Sequence, residues 1–131
     1  KDTMQLSSFD NNKFFLGHSA MLINEGMPAF IVEELRKNVD LKNKKVGILG
    51  MAFKAESDDK RSSLSYKLKN MLDMNAKKLF CSDEYIDDSN FLSKEELIKQ
   101  SDIIIIGVPH KNYSNLKIPK DKFVYDMWDF I

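Results

Sequence analysis

Val46-Gly47-Ile48-Leu49-Gly50-Met51-Ala52-Phe53-Lys54 begins as a short apolar strand and runs into a charged loop, Ala55-Glu56-Ser57-Asp58-Asp59-Lys60-Arg61, that ends at Ser62 and Ser63. Either serine can cap the helix that follows, whose apolar stripe is Leu64, Leu68, Met71 and Leu72. A buried strand, a loop and an amphipathic helix form the opening unit of an alternating α/β pattern.

The chain continues that alternation. Leu79-Phe80-Cys81 reads as a second strand, and Ser93-Lys94-Glu95-Glu96 is a capping box opening a helix to about Lys99. Ile103–Val108 is a third strand, apolar without interruption, as expected where both faces are covered. Phe123-Val124-Tyr125 is a fourth. Strands separated by helices predict a small doubly wound α/β domain with a mainly parallel sheet.

Upstream, residues 12–38 read as helix, in one or two pieces. Phe14, Phe15, His18, Met21 and Leu22 form one stripe, and Phe30, Ile31, Glu34 and Leu35 resume it beyond Gly26-Met27-Pro28. Pro28 lacks a backbone donor and should kink or restart the helix. The Lys- and Asn-rich stretch 38–45 marks the boundary between an N-terminal helical segment and the α/β domain.

Composition narrows the function classes. Twenty Lys and Arg balance twenty Asp and Glu in 131 residues, so no electrostatic footprint favours nucleic acid or an anionic membrane as partner. No apolar run approaches the ~18 residues of a membrane span. The single cysteine, Cys81, excludes an internal disulfide framework and points to a reducing, cytoplasmic setting. Cys81 itself reads as a small buried hydrophobe, His18 as a packing residue and the methionines as core filler. His110, after Pro109 at the end of the third strand, sits where a ligand-side loop begins, but it has no partner at metal-ligand spacing, and no metal is expected.

The loop from Gly47 to Ser63 lies at the carboxyl end of the first strand, where doubly wound domains hold ligands. It is neither the G-x-G-x-x-G fingerprint nor a Walker loop. Lys54 and Arg61 near a helix N-terminus suit a diphosphate. The residue types alone leave a second reading open, a solvated charged loop.

Gly50-x-Ala52-Phe53-Lys54 followed by Asp58-Asp59-x-Arg61-x-Ser63 closely resembles the opening of the nucleotide-sugar-binding domain in the UDP-glucose/GDP-mannose dehydrogenase family. Asn24-x-x-Met27-Pro28 resembles the N-x-x-M-P step of that family's central helix. Lys1-Asp2-Thr3 resembles the K-D-T after its catalytic cysteine, and Asp83 resembles the Asp of its Y-D-P.

The resemblance implies a Rossmann-like C-terminal domain over 41–131, preceded over 1–40 by part of a central dimerisation region. It implies NAD as cofactor, a UDP- or GDP-sugar as substrate, and a homodimer. Family members oxidise the C6 alcohol of a nucleotide-linked hexose twice, through a cysteine thiohemiacetal and thioester. That cysteine and the G-x-G-x-x-G domain would lie upstream of Lys1. Carried over by position, Asp2 assists the catalytic water, Lys1 and Arg61 contact NAD, and Phe53 and Lys54 meet the nucleotide sugar. One departure stands out. Where many UDP-glucose-oxidising members carry Asp-x-Arg, this chain has Asp126-Met127-Trp128, which leaves N-acetylhexosamine and other hexose substrates open. The alternative is a non-catalytic nucleotide-binding or dimerisation module of the same fold.

Overall fold

The structure is a computed structural model that describes residues 2–9 and 13–131. A short helix α1 (Asp2–Phe9) precedes a long helix α2 (Phe15–Asn38). The α/β part then runs β1 (Lys45–Leu49), α3 (Leu64–Asp73), β2 (Lys78–Ser82), α4 (Lys94–Gln100), β3 (Ile103–Ile106) and β4 (Phe123–Tyr125). The four strands form one parallel sheet in the order β2-β1-β3-β4.

Strand periodicity divides the core in two. Val46, Ile48, Ile103 and Ile105 face one side and pack with Leu68 and Leu72 of α3 and with Ile31, Val32 and Leu35 of α2. Leu49, Ile104 and Ile106 face the other, against Leu97 and Ile98 of α4 and Tyr113. Each fully buried Leu or Ile contributes roughly 1.5–3 kcal/mol relative to exposure. Burial on both faces therefore fixes the sheet between its helices, and this is why the Ile103–Ile106 run carries no polar alternation.

Both capping serines act as the sequence predicts. Ser63 Oγ accepts from the Ser65 N–H at 3.2 Å, and Ser93 Oγ accepts from the Glu96 N–H at 3.2 Å.

Three local expectations change. Pro28 lies inside α2 and neither ends nor restarts it. Its ring removes one hydrogen bond, but the following turns are anchored by the buried Ile31, Val32 and Leu35, and tertiary packing outweighs the lost bond. The third strand stops at Ile106, not Val108, because the Gly107 and Val108 N–H groups both turn to the Leu49 carbonyl, at 2.8 and 3.3 Å. Met74 is 82% exposed and fills no core. No helix among the described residues is long and apolar enough to cross a membrane.

Candidate functional site

Chain direction reverses across the middle of the sheet. From β1 the chain crosses outward to β2, and β3 then returns to the other side of β1. A crevice opens at such a reversal, between the loops leaving the two central strands. Register makes those loops meet: Leu49 is paired with both Ser82 and Ile106, so Gly50, Asp83 and Gly107 leave the sheet at one level.

Glycine is required at two of these exits. Gly50 has φ +91°, and a Cβ there would lie 2.5 Å from the Val108 carbonyl oxygen. A Cβ on Gly107 would lie 2.5 Å from the Gly50 carbonyl oxygen. The two loops thus approach backbone to backbone, which a side chain at either position would prevent.

Between them lies a cleft of about 350 Å³. Ala52, Phe53, Lys54 and Ala55 form one wall, Gly107, Val108 and Pro109 the opposite wall, and Ser63, Leu64 and Ser65 at the start of α3 the end. Asn24 of α2 and Trp128 complete it. An apolar cavity of about 280 Å³, which shares Asn24, Leu64, Ser65, Gly107 and Trp128, extends it toward Met27, Pro28 and Ile31. The Lys54 side chain is exposed, and among the described residues no carboxylate pairs with it. An unpaired ammonium beside a helix N-terminus is a setting for an anion such as phosphate.

Asp83 organises the loops behind the cleft. Its Oδ2 accepts the Met51 and Ala52 N–H groups at 2.6 and 3.0 Å. Its Oδ1 accepts those of Tyr85 and Ile86 at 2.8 and 3.1 Å. The His110 Nε2 lies 3.2 Å from Oδ2, with both side chains fully buried. Burial pushes the Asp83 carboxyl up, but the His110 bond and the Tyr85 and Met51 N–H groups outweigh it, holding the pKa down at about 2. His110 Nδ1 accepts the Glu56 N–H at 3.0 Å. Nε2 therefore carries the proton that points to Asp83.

Glu56 completes the set. Its carboxylate accepts the Tyr85 hydroxyl at 2.7 Å and the Lys111 N–H at 2.8 Å. These two bonds, the tyrosine's first, lower its pKa. Glu56, Asp83, Tyr85 and His110 carry no catalytic pattern in the sequence. The available signals were position, since Asp83 and His110 each follow the end of a parallel strand, and for Asp83 its resemblance to the Asp of Y-D-P.

The residues singled out from sequence separate into groups. Phe53 and Lys54 come together in the cleft. Arg61 is not among the cleft-lining residues; its exposed guanidinium forks onto Asp59, Nε at 2.9 Å and Nη2 at 3.2 Å. Lys1 and the side chain of Asp2 lie outside the described residues. Thr3 of α1 shares a cavity of about 160 Å³ with Met21, Asn24, Phe53 and Ser62, so the N-terminal helix borders the Phe53 loop. Cys81 is buried, and desolvation pushes its thiol up to about 12, so it is no nucleophile. No cluster of three metal-ligating side chains exists among the described residues.

Comparison with known proteins agrees with this geometry. The family model described as UDP-glucose/GDP-mannose dehydrogenase family, UDP binding domain, matches residues 47–131. A UDP-N-acetyl-D-mannosamine dehydrogenase of Methanocaldococcus jannaschii is 32% identical over 99 residues, covering 74% of this chain and 23% of that protein. The corresponding protein of Pyrococcus horikoshii is 30% identical over 121 residues, covering 88% of this chain and 29% of that protein. The solved structure of UDP-D-ManNAc dehydrogenase from Pyrococcus horikoshii superposes with TM-score 0.82 at 27% identity, over 100% of this chain and 34% of that one. This chain spans less than a third of the length of these two curated relatives. The parallel sheet, the switch-point cleft and the match over 47–131 together make this chain a member of the UDP-glucose/GDP-mannose dehydrogenase family, carrying its UDP-binding domain.

Proposed function

We propose that this chain is the nucleotide-sugar-binding part of an NAD-dependent dehydrogenase that oxidises the C6 alcohol of a UDP-hexose to a uronic acid. The observation that carries this reading is the switch-point cleft, where the unpaired Lys54 ammonium and the α3 N-terminus face one space. A nucleoside diphosphate brings the negative charge this site lacks. Phe53 supplies an apolar wall beside Lys54. The apolar extension toward Met27, Pro28 and Ile31 gives room for a group beyond the diphosphate. The relatives' names and the Trp128 tail favour a UDP-N-acetylhexosamine over UDP-glucose.

Each of the two oxidations transfers a hydride to NAD, and water supplies the second carboxylate oxygen. Among the described residues the fit to a dinucleotide is an edge contact only. Arg61 offers an exposed guanidinium, steadied by Asp59, to an anionic group. Asp2, by its position in the family motif, orients or deprotonates the hydrolytic water, a task a carboxylate can perform. In this reading 1–40 belongs to a dimerisation region and 41–131 holds the nucleotide sugar. A homodimer is part of the proposal.

The test is a panel of UDP- and GDP-sugars assayed with NAD and the full-length protein that contains this chain. Two NADH per sugar with a UDP-N-acetylhexosamine is the expected result. Residues 1–131 alone should produce no NADH, because the nicotinamide site and the thiolate are not among them. Binding of nucleotide sugar without NADH from the full-length protein would instead establish a non-catalytic binding module.

A further inference from the structure

We propose that His110 is a positioning residue for the nucleotide-binding loop, a buried latch that sets the distance between the two walls of the cleft. This rests on the reading of that cleft as a nucleoside-diphosphate site. The wall carrying Phe53, Lys54 and Ala55 is pinned at both ends. Asp83 holds Met51 and Ala52 before it, and His110 holds the Glu56 N–H after it. The opposite wall, Gly107 to Pro109, leads directly into His110. One imidazole thus joins both walls and, through Asp83, the loop after β2.

His110 does not line the cleft and is fully buried, so it acts on a ligand only through the loops it fixes. A buried imidazole is costly unless both nitrogens are bonded. Here both are, and Tyr85 and Tyr113 enclose the ring at centroid distances of 4.9 and 5.4 Å.

A strained residue marks the same point. Glu56 is not glycine, yet it sits at φ +56°. Such a conformation persists where surrounding bonds over-determine it, and it concentrates at ligand clamps. Glu56 has three such bonds: its N–H to His110, and its carboxylate from Tyr85 and from Lys111. Without the latch, residues 53–55 would have to be ordered at the moment of binding, at the expense of affinity.

Three variants in the full-length protein test this, with UDP as probe. His110→Leu removes both bonds. His110→Gln keeps one acceptor and one donor at similar separation. Tyr85→Phe removes only the exposed hydroxyl's bond to Glu56 and should not disturb folding. His110→Leu is expected to raise the UDP Kd at least ~10-fold and to speed hydrogen exchange of amides 51–57. His110→Gln should stay within ~3-fold of wild type, and Tyr85→Phe should weaken UDP about 3- to 10-fold, the worth of one net hydrogen bond. In turnover, the KM for the sugar nucleotide should rise with kcat unchanged, whereas simple destabilisation would lower the active fraction and hence kcat. If His110→Leu does not fold, Tyr85→Phe still decides the matter through its UDP affinity and the exchange of amides 51–57. UDP affinity that Lys54→Ala weakens while Tyr85→Phe, and His110→Leu where it folds, leave it at the wild-type value overturns the latch alone. A wild-type protein that does not bind UDP overturns the nucleotide reading and the latch together.

Discussion

Replacing Asp83 with asparagine tests whether one carboxylate holds the ligand-side loops together. The ionised group accepts four backbone N–H bonds and one from His110. An asparagine keeps one oxygen and turns an NH2 group toward either the Met51 and Ala52 donors or those of Tyr85 and Ile86. The charge-dependent part of the loss follows from the carboxyl's pKa, lowered from 3.8 to about 2. At about 1.36 kcal/mol per pH unit the difference is roughly 2–3 kcal/mol. The folded-state pKa is the lower one, so this stability is present above about pH 4 and is lost as pH falls through about 2. At pH 3 it shrinks to about half that by the same linkage. For a chain of this length, unfolding entropy of about 2.1 cal/mol/K per residue converts 1 kcal/mol to about 3.6 °C. Asp83→Asn should therefore melt about 9 °C below wild type at pH 7, and about 5 °C below at pH 3. Circular dichroism melts at the two pH values measure both gaps. A gap below about 2 °C at pH 7, or one equal at both pH values, would refute the reasoning.

Lys54→Ala should weaken binding of the preferred sugar nucleotide roughly 10- to 150-fold, from about 1.5–3 kcal/mol for a charge-assisted bond. NAD affinity should change much less, and Arg61→Ala should do the reverse; titrations of both ligands separate the two effects. Cys81 should resist a thiol reagent in the native protein at pH 8 and react on unfolding, since its pKa is pushed up to about 12. On α2, Phe15, Leu16, Leu22, Ile23 and Phe30 are each more than half exposed. Apolar surface of that extent normally marks an interface, so sedimentation should detect self-association that Leu22→Glu with Ile23→Glu abolishes.

The sequence by itself determined the elements and their chemistry. Apolar runs at Val46–Leu49 and Ile103–Ile106 require cover on both faces, so strands and a parallel sheet follow from local pattern. Ser63 and Ser93 announce their helices because a cap is a bond between near neighbours. Phe53 and Lys54 stand out because their motif is contiguous. Local pattern left a restart at Pro28 open that the structure does not show, because the bond a proline removes was weighed without the core that anchors α2.

The tertiary structure alone decided what Asp83, Glu56, Tyr85 and His110 do. The bonds that join them across the loops, Glu56 to His110, Asp83 to His110 and Tyr85 to Glu56, span 54, 27 and 29 residues. Only the strand order β2-β1-β3 and the common level of Leu49, Ser82 and Ile106 bring their loops together. Parallel pairing aligns strand ends that the chain separates by whole helices, and a site assembled at those ends depends on register, which no local pattern encodes.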